Sequence, residues 1–121
     1  MLLNSFYTIV KEESSPGSVK ALLSINRQHP ILQGHFPGHP VVPGVCMMQM
    51  IKELMEATTS QTLRISKADN MKFLSVIDPD QNHEIEAAIS YVGDHGSFVL
   101  NASLMAGSIT FFKLKATLHS A

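Results

Sequence analysis

The segment from His29 to Val45 holds the groups best suited to chemistry. His35 lies in a stretch that contains four prolines and three glycines between His29 and Gly44. Because proline restricts the backbone, such a loop holds a side chain in place at little further entropic cost. Histidine titrates near neutral pH, which suits a general base. The sequence therefore predicts an ordered, functional loop that presents His35.

Gly44 provides a second candidate group where a helix is predicted to start. Pro43 fits the first turn of a helix, where a missing N–H costs nothing. The amide of Gly44 has no partner within such a helix, and the absent Cβ allows a ligand to approach. The partial positive charge of a helix N-terminus would polarise a thioester carbonyl and stabilise an enolate. His35 and Gly44 together indicate removal of a proton next to a carbonyl.

Each of these features also has an ordinary structural interpretation. A single loop histidine is usually a surface residue, and Pro-Gly before a helix is usually a cap. The methionines that follow fill a core more often than they line a ligand tunnel; they are Met47, Met48, Met50 and Met55. Composition and spacing alone therefore leave an enzyme and a domain without catalysis both open.

One helix and several strands must position these groups. Good helix formers predict a helix from Val45 to about Thr58, with one polar stripe at 49, 52, 53 and 56 and an otherwise apolar, buried surface. The segment from His29 to Gly44 is predicted to contain no helix, and Glu12 to Ser18 is predicted to be a turn. Strands are predicted at Phe6–Val10, Val19–Ile25, Leu63–Ile65, Asn70–Ile77, Glu84–Val92, Ser97–Met105 and Ile109–Leu118. This order predicts an α+β fold with an antiparallel sheet around the helix.

Composition narrows the class of protein. The 121 residues, 45% of them hydrophobic, fit one domain spanning 1–121. Nine basic and ten acidic residues give a net charge of −1, which does not favour nucleic acid as a partner. The single cysteine, Cys46, cannot form an internal disulfide and favours a reducing compartment. With no signal-peptide pattern and no apolar run long enough to span a membrane, we expect a cytoplasmic protein.

The run from Gly34 to Val45, Gly-His-Phe-Pro-Gly-His-Pro-Val-Val-Pro-Gly-Val, resembles the β-hydroxyacyl-acyl-carrier-protein dehydratases, the FabZ-like branch of the hotdog superfamily. A weaker similarity continues through Ala68–Pro79, so that the resemblance covers nearly the whole chain. It implies a hotdog fold, in which an antiparallel sheet wraps around one long central helix. It also implies dehydration of 3-hydroxyacyl thioesters to trans-2-enoyl thioesters, in fatty-acid, polyene or polyketide synthesis.

The same resemblance assigns roles and partners. His35 corresponds to the catalytic histidine and Gly44 to the amide that polarises the carbonyl. Phe36, Pro37, Gly38, Val45 and Phe73 are expected to contact the substrate. The resemblance implies no metal and no cofactor, because the substrate is carried on the phosphopantetheine thioester of an acyl carrier protein. Family members form dimers with active sites at the interface, so we expect a homo-oligomer built from dimers, or a hetero-oligomer with a related subunit.

The chain departs from this pattern at Gln49. The acid of the family lies fourteen positions after the histidine, and here that position is an amide, which cannot deliver a proton. Glu53, one turn later, is a candidate substitute acid, although it could equally be solvated or paired with Gln49. His35 acting alone and a carboxylate from a related subunit are further alternatives. The sequence therefore leaves open a dehydratase, a catalytically weakened carrier-binding subunit and a hotdog thioesterase.

Overall fold

A six-stranded antiparallel sheet packs against one long helix. The computed structural model describes residues 1–34 and 39–121, so the predictions for His35, Phe36, Pro37 and Gly38 lie outside the described residues. The sheet order is β1-β2-β4-β5-β6-β3, which puts β1 and β3 at its edges. The elements in chain order are β1 (Tyr7–Ser15), β2 (Ser18–Ile25), α1 (Pro30–Gln33), α2 (Gly44–Thr59), β3 (Leu63–Phe73), β4 (Glu84–Asp94), β5 (Ser97–Ala106) and β6 (Ile109–Ser120).

The helix and the α+β arrangement are confirmed. Helix α2 begins one residue before the predicted start and ends one residue after the predicted end. Its apolar side chains are buried against the inner face of the sheet, where alternate residues of each strand point inward. On β5 these inward residues are Phe98, Leu100, Ala102 and Leu104. No helix in the described part of the chain is long and apolar enough to cross a membrane.

Three predictions of local structure are wrong. The turn predicted from Glu12 to Ser18 is limited to Pro16 and Gly17, because β1 stays paired with β2 as far as Ser15. Gly17 has a φ of 81°, a conformation that glycine adopts without strain. The segment after His29 contains a short helix, α1. Pro30 occupies its first turn, and the His29 Nδ1 accepts a hydrogen bond from the amide of Ile31 at 3.1 Å.

The third correction concerns β3, for which the sequence predicts two strands separated near Ser66. The structure has one continuous strand here. Its pairing with β6 shifts register twice, and these shifts let the strand continue through the polar residues that separate the two predicted strands. The strand ends at Phe73 and not at Ile77. Beyond it, the amide of Leu74 still donates to the carbonyl of Phe111 at 2.8 Å. Most side chains of β3 are exposed, which explains its polar sequence.

Glu53 connects α2 to the N-terminal segment. It is 2% exposed and is the one buried charged residue of the described chain. Its carboxylate accepts hydrogen bonds from the amides of Leu2 (2.8 Å) and Leu3 (2.7 Å), from the Tyr7 hydroxyl (3.0 Å) and from Gln49 Nε2 (2.7 Å). Four donors match the acceptor capacity of one carboxylate. They compensate for the cost of burying its charge.

The ionisation of this cluster follows from its contacts. Burial favours the neutral acid and raises the pKa of Glu53, but the four hydrogen bonds outweigh burial and lower that pKa overall. Burial, together with the neighbouring charge of Glu53, raises the pKa of the Tyr7 phenol above its ordinary value. Glu53 is therefore the charged acceptor, and Tyr7 is the neutral donor.

We expect stability to depend on Glu53 at acid pH. Because its pKa is lower in the folded chain than its ordinary value of 4.5, the stabilisation is present above that value and is lost as the pH falls through the folded pKa. Between pH 7 and about pH 3, the free energy of unfolding should fall less in Glu53→Gln than in wild type. Urea unfolding at both pH values measures this difference. Glu84→Gln, an exposed carboxylate on β4, is the control and should follow wild type, whereas parallel losses in all three proteins would contradict the assignment.

Candidate active site

The N-terminus of α2 presents a free backbone donor at Gly44. Pro43 is the N-cap, with extended backbone (φ −62°, ψ 145°) and no side-chain cap. The first amides bonded into the helix are those of Cys46 and Met47, which both donate to the Pro43 carbonyl. Within residues 1–34 and 39–121, the N–H of Gly44 has no acceptor. It can therefore polarise a carbonyl placed at this helix end.

The segment before this helix is fixed to the chain beyond β3. The amide of Val42, a buried residue, donates to the carbonyl of Ile77 at 3.0 Å. The ring of Phe73 lies directly over Gly44: a Cβ on Gly44 would be 2.7 Å from Phe73 Cε1 and 2.8 Å from Cζ. Phe73 also packs on Phe112, with ring centroids 5.0 Å apart. The structure thus brings the predicted residues Gly44 and Phe73 together, and with the ring in this position only a residue without a side chain fits beneath it.

The substrate contact predicted for Val45 would use an exposed side chain. Val45 is 72% exposed and Phe73 is 53% exposed. Other exposed apolar residues lie at and beyond the end of β3, namely Met71, Leu74 and Val76. Met71 and Phe73 lie on β3, which has no partner strand on its outer side among the described residues. Such an apolar edge is typical of a surface that a ligand or a second chain covers.

Gln49 lies on α2, and the NH2 group of its side-chain amide is already hydrogen-bonded. Its Nε2 donates to Glu53 at 2.7 Å, so the pairing that the spacing of the two residues allows is confirmed. Only the NH2 end can donate to a carboxylate, which fixes the amide orientation. Among the described residues no donor reaches Gln49 Oε1. The half-buried Gln49 therefore offers an acceptor and no labile proton.

Glu53 itself is neither solvated nor free. Its four donors stabilise the ionised carboxylate and so disfavour the protonated form that a substitute acid requires. Sequence reasoning missed Tyr7 and the amides of Leu2 and Leu3, which hold this carboxylate. No local spacing links residues 2 to 7 with residue 53. The sequence did contain one indication of these contacts: Glu53 lies on a largely apolar helix, and a buried glutamate there needs hydrogen-bond donors from other parts of the chain.

The geometry around α2 offers three features for chemistry: a free helix N-terminus, an aromatic ring over it and an oriented amide further along the helix. Acyl-thioester chemistry can use all three. The distance between His35 and Gly44 or Gln49 depends on a residue outside the described part of the chain. In the described part, no group of three or more His, Cys, Asp or Glu side chains could hold a metal ion.

Comparison with known proteins gives a consistent family. A family model described as ApeI dehydratase, ApeI-like, matches residues 11–108. Among curated relatives, the 3-hydroxyacyl-[acyl-carrier-protein] dehydratase FabZ of Wolbachia pipientis wMel is 28% identical over 88 residues, which cover 66% of this chain and 62% of the relative. FabZ of Ralstonia nicotianae is 29% identical over 97 residues, covering 80% and 56%. The chain thus spans less than two thirds of the length of these relatives.

Solved structures share the fold. The dehydratase heterocomplex ApeI:P from Xenorhabdus doucetiae superimposes with a TM-score of 0.74 at 17% identity, covering 92% of this chain and 96% of that chain. A mutant thioesterase from Pseudomonas aeruginosa reaches a TM-score of 0.60 at 12% identity, covering 90% and 78%. At such identities the likeness establishes the fold and does not separate hydrolysis from dehydration. Because the family model extends over residues 11–108, the chain belongs to the ApeI-like dehydratase family, with the α+β hotdog fold.

Proposed function

We propose that this protein dehydrates 3-hydroxyacyl thioesters, carried on the phosphopantetheine arm of an acyl carrier protein, to trans-2-enoyl thioesters. The observation that carries the proposal is the free amide of Gly44 at the start of α2, in a chain of a dehydratase family. A donor at this helix end stabilises the negative charge that develops on a thioester oxygen when the neighbouring carbon loses a proton. The reaction itself requires no metal or redox cofactor.

The proposed mechanism uses two groups of the Gly34–Val45 segment. The thioester carbonyl accepts the hydrogen bond from Gly44 N–H, and His35 takes a proton from C2. As the enolate collapses, the C2–C3 double bond forms and the C3–O bond breaks. The hydroxyl leaves as water after it receives a proton. Phe73, together with Phe36, Pro37, Gly38 and Val45, is proposed to contact the acyl thioester.

The source of that proton distinguishes this chain from a complete dehydratase. Gln49 Oε1 can accept a hydrogen bond from the 3-hydroxyl and orient it, but it cannot protonate it. General acid catalysis contributes roughly 10²–10⁴-fold. His35 can return the proton it has taken, at a lower rate. The substitute-acid role for Glu53 is the weaker proposal, because its environment favours the charged form.

A second candidate is an incomplete subunit whose carboxylate comes from a related chain. It is favoured by Gln49 and by the exposed apolar side chains at the end of β3 and just beyond it, namely Met71, Phe73, Leu74 and Val76. The dehydratase heterocomplex from Xenorhabdus doucetiae is a precedent for unequal subunits in this fold. In this proposal a homodimer binds acyl carrier protein but turns over slowly, and the hetero-oligomer is the active form.

The primary test is turnover by the isolated protein. Wild type should convert a 3-hydroxyacyl thioester to the conjugated enoyl product, which absorbs in the ultraviolet, and His35→Ala should reduce the rate by roughly 10²-fold or more. Thiol release monitored in the same reaction reports hydrolysis. If wild type and His35→Ala are equally inert, the isolated chain is not the dehydratase. Release of thiol without enoyl product would identify a thioesterase.

Gln49→Glu tests whether the scaffold lacks only its acid. The introduced carboxyl would lie beside the buried carboxylate of Glu53, whose repulsion should raise the pKa of the new group. We expect the dehydration rate to rise by roughly 10²-fold or more, with a pH profile that falls as this group ionises. Gln49→Ala is the matched control and should show no gain. A Gln49→Glu protein that folds, binds carrier protein and gains nothing would exclude this role for position 49.

Gly44→Ala tests access to the backbone donor, because alanine keeps the N–H and adds only a methyl group. The added methyl would overlap the Phe73 ring and narrow the approach to the amide, so we expect kcat/KM to fall roughly tenfold to hundredfold. The ring is half-exposed and can move, so the change in free energy of unfolding should stay within about 1 kcal/mol. Adding Phe73→Leu removes the overlap. If the double variant regains wild-type activity, the loss came from the displaced ring and not from the amide.

A further inference from the structure

One part of the outer face of the sheet, which points away from α2, carries a concentrated positive charge. Four of the nine basic residues lie there in two adjacent rows of cross-strand partners. All four are exposed and line one groove of about 500 Å³. We refer to this groove as the basic trough, and its lysines are Lys20, Lys72, Lys113 and Lys115.

The register of the sheet defines the shape of the basic trough. Two parallel rows of cross-strand partners run across the sheet from β2 to β3. The first row is Lys20–Ala88–Ser103–Lys113–Lys72. The second row is Ser18–Ser90–Asn101–Lys115–Asn70. The floor, on β4 and β5, therefore consists of small uncharged side chains. Three lysines form the wall on β6 and β3, and Lys20 is the single lysine of the wall on β2. Three strand spacings separate β2 from β6, about 14 Å. An α-helix with its side chains is about 10–12 Å wide, so the floor accommodates one helix.

The charges of the basic trough are not neutralised within the described chain. Arg27, Lys52 and Lys67 have ion pairs elsewhere, but none of the four trough lysines has a carboxylate within ion-pair distance among the described residues. The acids nearest in register are Glu13, opposite Lys20 on the edge strand β1, and Glu86, two residues from Ala88 on β4. Both adjoin Lys20 and not the three lysines of β3 and β6. Lys72 and Lys113 are direct cross-strand partners. Like charges in that position destabilise a sheet, so the arrangement opposes folding and an external anion would relieve it.

We propose that the basic trough binds an acidic α-helix of a partner protein, with small residues on the buried side of the helix, several carboxylates on the flank that faces β6 and β3, and at least one on the flank that faces Lys20. The small side chains of the floor allow close approach of the helix, and the four lysines pair with its carboxylates. A second copy of this chain fits poorly, because two-fold packing centred on the trough would oppose lysine to lysine. This surface lies on the other face of the sheet from α2 and goes beyond the proposed dehydration.

The test measures binding of a synthetic helical peptide of about 20 residues. The acidic peptide has a stripe of alanine along one side of the helix, with a row of glutamate on each side of the stripe. In a neutral control peptide, glutamine replaces every glutamate. With the full chain, fluorescence anisotropy should show that Lys20→Gln/Lys113→Gln weakens binding of the acidic peptide by about tenfold or more. Arg27→Gln/Lys52→Gln removes the same charge away from this face of the sheet and should change binding by less than about twofold.

Three outcomes would overturn the proposal. Equal weakening by the two double variants would indicate a response to net charge alone, and equal binding of the neutral peptide would show that the lysines do not matter. Inorganic tripolyphosphate that binds the trough as tightly as the acidic peptide would indicate a small-anion site instead. A folding control is available as well, because Lys72→Gln removes the like-charge pair and should raise the Tm while it weakens peptide binding.

Discussion

The buried carboxylate of Glu53 is the interaction on which much of this structure depends. A charge with 2% exposure is tolerated only because four donors converge on it from three parts of the chain. That convergence ties the N-terminal residues and β1 to the middle of α2. It also orients Gln49, whose donor end is used and whose acceptor end is left available. The same contacts therefore stabilise the helix and determine which hydrogen bonds Gln49 can make.

Most of the regular structure could be predicted from local patterns. Helix α2 follows from its run of helix formers and one polar stripe, and the hairpins follow from their turns. The errors have a common cause: they occur where pairing or capping overrides composition. Residues Glu12 to Ser15 are polar yet remain in β1 because β2 provides their partners. Likewise β3 crosses its polar middle by shifting register against β6.

The site was predictable only in part. Gly44 and its helix start follow from the Pro-Gly pair and the pattern after it, and the structure adds the ring of Phe73 that covers this glycine. The identity of Gln49 is plain in the sequence, but its orientation is not, because the groups that hold Glu53 lie more than forty residues away along the chain. Long-range polar contacts of this kind have no periodic signature. The basic trough likewise becomes evident only when the strand order brings β2 and β6 to opposite sides of one floor.

The link between Gln49 and Glu53 also has an evolutionary consequence. A carboxylate at position 49 beside the present Glu53 would place two acids within one hydrogen bond of each other. A lineage with a carboxylate at position 49 gains stability by replacing Glu53, because the two acids would repel each other. A lineage with the amide at position 49 can keep Glu53. The two positions should therefore change together among descendants of one ancestor. A substitution at one of them alters which residues natural selection tolerates at the other.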